Sequence, residues 1–219
     1  MFIIEDAAQA YGAEYKSKKA GSFSKAGAFS MNSMKPLSGY GEAGAVVTDD
    51  AQVYENIRML RHAGTKSDPN KLITNEGDYV SLNHKMDTIQ AAMLLIAIKH
   101  FPNKVARKNQ IAKMYTEALS DLVKCPRVPV GDKHGFYTFA IQTQKRDGLK
   151  ECLHAQNIET KIFHMPLACD SSVYSHLRKP NIPVAQEIME KTLNLPCHEK
   201  LSDEQVKFVI STICNFLSG

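Results

Sequence analysis

Short apolar segments separated by polar and glycine-rich segments open the chain and predict strands joined by turns. Residues 2–4 form an apolar, β-prone run that is followed directly by acidic residues. This pattern is typical of a buried parallel strand that ends at functional residues. Residues 26–31 and 44–48 predict two further strands on either side of a loop, and residues 11–21 predict a turn-rich connection. The beginning of the chain therefore predicts part of an α/β fold.

Apolar residues at helical spacing follow these strands. A candidate cap, Asp49 or Asp50, precedes a helix that is expected to stop at Gly64. Residues 65–82 have no clear period and predict a long loop. Two helical stretches come next, and Pro102 is expected to break or restart the helix between them. The apolar faces of the three helical stretches are, in order, Val53, Ile57 and Leu60; Met86, Ile89, Ala92, Met93 and Ile96; and Ile111, Met114, Tyr115, Ala118 and Leu122.

Beyond Pro102 the pattern changes to a mixture of short strands and amphipathic helices. Strands are predicted at 136–143 and 160–163, with a helix over 146–156 between them and two more helices afterwards. The last helix opens with Ser202 and Gln205 in capping-box spacing. Its expected buried face is Val206, Val209, Ile210, Ile213 and Phe216. We therefore predict two domains, with residues 1–101 in an incomplete α/β domain and residues 102–219 in a small α+β domain.

The composition narrows the class of protein. The 219 residues are 43% hydrophobic and 23% charged, and the net charge of +4 comes from interleaved residues, so we expect no nucleic-acid partner. The five cysteines are widely spaced without a C-x-x-C pair, which favours reduced thiols in a cytoplasmic protein over disulfides or a metal site. No apolar run approaches the roughly 20 residues of a membrane span. Met1 opens directly on a strand-like segment, so no signal peptide is expected.

Two residues carry the candidate chemistry. Asp6 follows the first predicted strand, and Lys35 lies in the loop after the second, directly before Pro36 and a glycine-rich turn. A pyridoxal phosphate site needs both groups, because the lysine amine bonds the aldehyde of the cofactor and the carboxylate keeps the ring nitrogen protonated. The sequence therefore indicates a site for this cofactor.

Five segments of the chain resemble the DegT/StrS family of pyridoxal-phosphate-dependent sugar aminotransferases. They read EDAAQAYGA at 5–13, FSMNSMK at 29–35, GEAGAVVT at 41–48, NHKMDTIQAA at 83–92 and LNLP at 193–196. The resemblance extends over nearly the whole chain. It implies an α/β fold, with an incomplete large domain of the aspartate-aminotransferase-like (type I) fold followed by a small α+β C-terminal domain. Two departures lie beside the site: Ser24-Lys25 replaces Gly-Asp, and Ala43 replaces glycine.

The resemblance implies a role for each matching residue. Lys35 is expected to be the Schiff-base lysine that also moves the substrate proton, and Asp6 is expected to pair with the ring nitrogen. Gln9 is expected to contact the phenolic oxygen of the ring, and Ser30 the phosphate. The alternatives are a surface lysine, a helix cap, a solvated glutamine and an ordinary strand serine.

Two further residues have less specific assignments. Asn83 resembles a residue that reaches the phosphate bound by the neighbouring subunit, which implies a homodimer with shared active sites. Alternatively, Asn83 caps the helix that begins near Met86. His164 lies where the family has a segment near the substrate entrance, although a lone histidine is more often structural.

The resemblance also implies an activity. It is the transfer of an amino group from glutamate to a keto group of a nucleotide-activated deoxysugar, in the synthesis of glycan or surface-polysaccharide precursors. Dehydratase members carry histidine in place of the lysine, so Lys35 favours amino transfer. Complete members have an extensive portion before the strand that carries Asp6, so the chain is interpreted as the C-terminal part of such an enzyme. The alternative is a non-catalytic truncated remnant, or one half of a split enzyme that needs a partner chain.

Overall fold

The computed structural model describes residues 2–65, 77–163 and 165–219. Contacts group the chain into two units, one of Met1–Asn103 with Pro129–Gly135 and the other of Lys104–Val128 with Phe136–Gly219. The predicted domain boundary after residue 101 stays a prediction, because grouped contacts do not show which part folds alone. The elements in the described ranges are strands β1 (Ile4–Asp6), β2 (Glu14–Tyr15), β3 (Lys18–Lys19), β4 (Ala26–Ser30), β5 (Gly44–Val47), β6 (Phe139–Gln142) and β7 (Thr192–Leu195), α-helices α1 (Ala51–Arg61), α2 (Thr88–Leu119), α3 (Arg146–Ala155), α4 (Pro183–Lys191) and α5 (Asp203–Ser218), and short 3-10 helices at Ala168–Asp170 and Ser172–Tyr174.

A three-stranded sheet in the order β1-β4-β5 organises the first unit. β1 runs parallel to β4, with Asp6 opposite Ala28. β5 runs antiparallel to β4, with Ser30 opposite Gly44. The structure confirms the strands predicted at 26–31 and 44–48 as β4 and β5, and the turn-rich residues 11–21 also contain the small antiparallel hairpin of β2 and β3.

The first strand differs from its prediction in burial. It begins at Ile4 rather than at Phe2, and the side chains of Phe2, Ile3 and Ile4 are 58%, 55% and 63% exposed. Among the described residues β1 pairs only with β4. The predicted parallel pairing is confirmed, but the predicted burial is wrong. An apolar run shows that a strand can be buried, and a neighbouring element is needed to bury it.

Helix α1 begins and ends where the sequence predicts. Oδ1 of Asp50 accepts hydrogen bonds from the backbone N–H groups of Gln52 (3.0 Å) and Val53 (3.1 Å), two groups that have no partner within the helix. Gly64 follows the last turn with a φ of +74°, a conformation that glycine adopts without strain. Residues 66–76 of the predicted long loop lie outside the described residues.

Helix α2 is continuous over 32 residues and contains Pro102, so the predicted break is wrong. An interior proline costs about 3 kcal/mol, because it removes one backbone hydrogen bond and crowds the preceding turn. Buried apolar side chains on both sides of it, Phe101 and Val105, offset this cost. Neither α2 nor another helix in the described ranges has the length and apolarity needed to cross a membrane.

The predicted apolar face at the start of α2 is also wrong in part. Ile89 and Ile96 are 78% and 56% exposed, whereas Leu94 is buried. Residues 91–98 are apolar without interruption, so the helical period does not select one face over another.

The second unit has the larger apolar core. β6 and β7 pair antiparallel with Phe139 opposite Leu195, and α3 packs against α5. The predicted capping box of α5 is confirmed: Oγ of Ser202 accepts from the N–H of Gln205, whose side chain accepts from the N–H of Ser202. Fully buried members of the core include Ile111, Tyr115, Leu119, Phe139, Ile141, Leu149, Leu153, Leu193, Val206 and Ile213.

Other predictions for this unit have mixed outcomes. The helix over 146–156 is confirmed as α3, whereas the strand over 136–143 is reduced to β6. Residues 160–163 form no strand ladder, and only Lys161 makes an isolated bridge, to Asn194. The strand prediction there is wrong, because a β-prone run forms a ladder only if a neighbouring strand stays in register over several residues.

Candidate functional site

The carboxyl-terminal ends of β1 and β4 lie next to each other at one end of the first unit's sheet, which we call the sheet edge. Several candidate site residues lie there. Asp6 is the last residue of β1 and Ser30 is the last residue of β4. The strands are parallel neighbours, and adjacent strands lie about 4.8 Å apart. Open α/β sheets bind ligands outside the carboxyl ends of their parallel strands. This edge is therefore the place to look for a cofactor site.

Asp6 has an exposed carboxylate, and a turn follows it directly. Its Oδ1 accepts a hydrogen bond from the N–H of Ala8 at 3.0 Å. In the described chain Oδ2 accepts no hydrogen bond, so one oxygen is available to a ligand. A turn rather than a helix follows, so the alternative that Asp6 is a helix cap is wrong. Gln9 lies on the same turn and is exposed.

Lys35 is half-buried in the lysine loop, which we define as residues 31–43 between β4 and β5. The N–H of Lys35 donates to the carbonyl of Asn32 at 2.9 Å. Oδ1 of Asn32 accepts from the N–H of Met34 at 2.8 Å, and Nδ2 of Asn32 donates to the carboxylate of Glu42 at the other end of the loop. These hydrogen bonds connect the two ends of the lysine loop and stabilise the turn that holds Lys35 beyond the carboxyl end of β4.

Glu5 supports the same edge, although the sequence pattern predicts no role for it. Its carboxylate accepts hydrogen bonds from the N–H of Gly21 and, at 3.0 Å, from the N–H of Phe23. These bonds attach the segment before β4 to β1. A carboxylate within a β-strand sequence, next to a candidate site residue, is the signal that could have indicated this contact.

Asn83 lies in the connection between α1 and α2 and is exposed. Its backbone forms an isolated bridge with His62, and its Oδ1 accepts from the N–H of Lys85 at 3.4 Å. Helix α2 begins only at Thr88, so the alternative that Asn83 caps this helix is wrong. His164 lies outside the described residues.

A groove of about 630 Å³ lies in the second unit. The rings of Tyr137 and Phe163 line it, with centroids 5.9 Å apart, and Cys197 lies on its wall. Burial raises the pKa of the Cys197 thiol to about 11, although the ammonium of Lys108 opposes the rise. Burial also lowers the pKa of Lys108. The thiol is therefore protonated at neutral pH and is not a nucleophile there.

The cysteines of the chain are all free thiols. In the ranges that the structure describes, no group of three or more histidine, cysteine, aspartate or glutamate residues could hold a metal ion.

Comparison with known proteins identifies relatives of this chain. A sequence profile of the DegT/DnrJ/EryC1/StrS aminotransferase family matches residues 1–214. The UDP-N-acetyl-3-dehydro-alpha-D-glucosamine 3-aminotransferase of Acidithiobacillus ferrooxidans is 32% identical over 218 residues, which cover 99% of this chain and 58% of that protein.

Two solved structures show the same fold. A DegT DnrJ EryC1 StrS aminotransferase from Brucella abortus superposes with a TM-score of 0.91 at 32% identity, over 100% of this chain and 58% of that one. DesV of S. venezuelae, in complex with a ketimine intermediate, has a TM-score of 0.92 at 30% identity over the same shares of the two chains. These likenesses confirm the predicted α/β fold class. This chain spans 58% of the length of each of these relatives.

Proposed function

This chain belongs to the DegT/DnrJ/EryC1/StrS aminotransferase family, and we propose that it acts with pyridoxal phosphate as a sugar aminotransferase. The proposed reaction transfers an amino group from glutamate to a keto group of a nucleotide-activated deoxysugar. It would serve the synthesis of glycan or surface-polysaccharide precursors. The name of the relative from A. ferrooxidans, a UDP-sugar 3-aminotransferase, supports a nucleotide sugar as the substrate class.

The positions of Asp6 and Ser30 at the ends of two adjacent parallel strands, with Lys35 in the loop after the second strand, support the proposal most directly. Amino transfer needs an acid that keeps the cofactor ring nitrogen protonated and an amine that bonds the aldehyde and moves a proton. The sequence separates these groups by up to 29 positions (6 to 35). The parallel pairing of β1 with β4 puts the carboxyl ends of both strands on the same side of the sheet, which supports a common site.

The residues at this edge fit pyridoxal phosphate. The Oδ2 atom of Asp6, with no hydrogen bond in the described chain, can accept a hydrogen bond from the N–H of a pyridinium ring. The hydroxyl of Ser30 can donate to a phosphate oxygen, and the amide of Gln9 can contact the phenolic oxygen. Lys35 adds the amine from the loop beyond β4. Acid, hydroxyl, amide and amine thus match the groups that the cofactor presents.

Each residue of the site has a distinct task in the proposed reaction. When bound, pyridoxal phosphate supplies an aldehyde and a ring that accepts electrons. Nζ of Lys35 would hold the aldehyde carbon of the bound cofactor, and this amine would carry a proton to and from the substrate carbon. The carboxylate of Asp6 would keep the ring nitrogen protonated, and Gln9 would orient the ring. Lysine at this position, rather than histidine, favours amino transfer over dehydration.

We also propose a homodimer in which the two subunits share their sites. Asn83 is exposed, and in the described chain its Nδ2 donates no hydrogen bond. This amide can therefore reach a phosphate held by the neighbouring subunit. A symmetric dimer would place two such contacts, one on each side of the axis.

Addition of pyridoxal phosphate to the purified chain tests the proposed function. We expect the visible absorption band of lysine-bound cofactor, and we expect Lys35→Ala to abolish it because the reacting amine is gone. Lys99→Ala, which removes an exposed lysine on α2, is the matched control and should keep the band. Borohydride reduction and peptide mapping should place the label on Lys35. A band that persists in Lys35→Ala would show that another amine reacts and would contradict the site.

Exposed apolar residues at the start of β1 and directly before it favour one alternative, in which the chain binds the cofactor only together with another polypeptide. Phe2, Ile3 and Ile4 are each more than half exposed, and clustered exposed apolar side chains mark surfaces that pack on another protein. A purified chain that folds but gives no lysine-dependent band would favour this alternative. A band from the chain alone would contradict it.

A further inference from the structure

The side chain of Gln90 reaches from α2 into the glycine-rich part of the lysine loop. Gln90 lies on the first turn of α2 and is half-buried. Its Oε1 accepts a hydrogen bond from the backbone N–H of Tyr40 at 2.7 Å. The two residues are 50 positions apart in the chain. A helix that carries no candidate catalytic residue is thus bonded to the loop that holds Lys35.

Gly39 and Gly41 leave the space that the Gln90 amide occupies. A Cβ at position 39 would lie 2.9 Å from Oε1 of Gln90, and a Cβ at position 41 would lie 3.2 Å from its Nε2. Both distances are tighter than ordinary van der Waals contact, so alanine at position 39 would displace the amide, and alanine at position 41 would require it to shift by a few tenths of an ångström. Tyr40 itself is 76% exposed. The loop is therefore attached here through its backbone rather than through a packed side chain.

A chain of hydrogen bonds connects this attachment to the lysine. The N–H of Gly39 donates to the carbonyl of Met31 at 2.8 Å. Asn32, the next residue, accepts the N–H of Lys35 at 2.9 Å through its carbonyl. A shift of residues 39–41 would therefore move the turn that carries Lys35.

We infer that Gln90 is a positioning residue that attaches residues 39–41 to α2 and thereby keeps the amine of Lys35 in place relative to Asp6. This role rests on the proposed function, because the position of the amine matters only if it bonds the cofactor. The glutamine oxygen accepts the Tyr40 N–H. A leucine of similar size fills the same space without an acceptor, and a glutamate keeps the acceptor.

Hydrogen exchange tests the attachment without the cofactor. In Gln90→Leu the backbone amide of Tyr40 should exchange about threefold to tenfold faster, the equivalent of one lost hydrogen bond. Gln90→Glu should restore slow exchange because it keeps an acceptor. Gln110→Leu makes the same change at an exposed position of the same helix and is the matched control. An unchanged Tyr40 rate in Gln90→Leu would overturn the inference.

Absorption spectra of the pyridoxal-phosphate-loaded chain test the effect on Lys35. In Gln90→Leu the lysine-bound band should form about threefold to tenfold more slowly and should titrate at a different pH, because its amine is no longer held in place. Gln90→Glu should recover both properties. A purely structural role would lower stability and leave the pH profile of the band unchanged. A Gln90→Leu chain with the native rate and pH profile would refute the positioning role.

The two tests separate failure of the inference from failure of the proposed function. If the unaltered chain gives no Lys35-dependent band, the proposed function fails, and the positioning role fails with it. The exchange rate of Tyr40 still shows whether the attachment exists. If the band forms, the Gln90 variants decide the positioning role on their own.

Gly39→Ala is a second route to the same question should Gln90→Leu not fold. Its new Cβ should displace the Gln90 amide and speed exchange at Tyr40. In a Gln90→Ala background the amide that Gly39→Ala would displace is absent. The added alanine should then have no further effect on the exchange rate of Tyr40. Such non-additivity indicates direct contact between the two positions. Additive effects of the two substitutions would overturn the inference.

Discussion

A side-chain oxygen accepts a hydrogen bond from a backbone N–H of a turn near the sheet edge in three cases, namely at Asp6, Asn32 and Gln90. Backbone groups in turns have no ladder partner, so a short polar side chain that satisfies one of them also sets the shape of the turn. Single polar atoms thus help to hold these turns, together with the buried side chain of Leu37 in the lysine loop. Substitutions that keep size but remove the acceptor are therefore the informative ones.

The half-buried thiol of Cys197 gives a prediction for alkaline pH. Burial raises its pKa from an ordinary value of 9.0 to about 11 in the folded chain. Between these values the unfolded chain binds fewer protons than the folded chain, so this contribution to the free energy of unfolding is complete below pH 9 and is lost as pH rises to 11. We expect Cys197→Ala to remove roughly 2 kcal/mol of the stability loss between pH 8 and pH 10.5, measured by urea unfolding.

Burial also shifts the pKa values of two neighbouring groups, so the prediction rests on the difference between the variants. Burial raises the pKa of Tyr115 and lowers that of Lys108, and both remain in Cys197→Ala. Cys152→Ala on α3 is the matched control. Identical pH dependence in the unaltered chain and in Cys197→Ala would contradict the prediction.

At the scale of elements, boundaries set by local hydrogen bonds are predictable from the sequence. Asp50 caps α1 and Ser202 with Gln205 caps α5, because a side-chain acceptor needs only the next few N–H groups. Boundaries that depend on packing are not predictable in this way. α2 continues through Pro102, and residues 160–163 form no ladder, because partners distant in the sequence decide both outcomes.

The capping box of α5 gives a prediction at this scale. Ser202→Ala removes the acceptor for the N–H of Gln205 and should lower the free energy of unfolding by about 1 kcal/mol. Thermal and urea unfolding measure the change. Ser211→Ala, at an exposed interior position of the same helix, is the control and should have little effect. Equal unfolding midpoints for the two variants would contradict a capping contribution.

At the scale of the whole molecule, the candidate residues divide into two groups. Asp6, Gln9, Ser30 and Lys35 lie at or beyond one sheet edge, whereas Asn83 lies between two helices and is proposed to serve the neighbouring subunit. A site that two chains build together can be tested with mixed dimers. In such a dimer, each chain carries a substitution in a different part of the site.

Mixed dimers of Lys35→Ala and Asn83→Ala chains test the shared site. Asn83→Ala alone should weaken cofactor binding by roughly tenfold to a hundredfold, the effect of losing a hydrogen bond to a charged phosphate. If sites are shared, the mixed dimer has one site with both defects and one intact site. Co-refolded chains should then regain a tightly bound lysine-dependent band that neither variant gives alone. Absence of any tight band in purified mixed dimers would show that each chain builds its own site.

The sequence by itself determined the family resemblance, the candidate chemistry and the locally set structure of this protein. The types and spacing of Asp6 and Lys35 indicated an amine and an acid for one cofactor, and the helix caps followed from short-range hydrogen bonds. Only the tertiary structure decided that β1 is exposed, which face of α2 is buried, and that Gln90 bonds the lysine loop. The physical reason is the distance along the sequence between the interacting residues. A cap or a covalent spacing involves a few neighbouring residues, whereas burial and a bond across 50 positions depend on which distant segments the fold brings together.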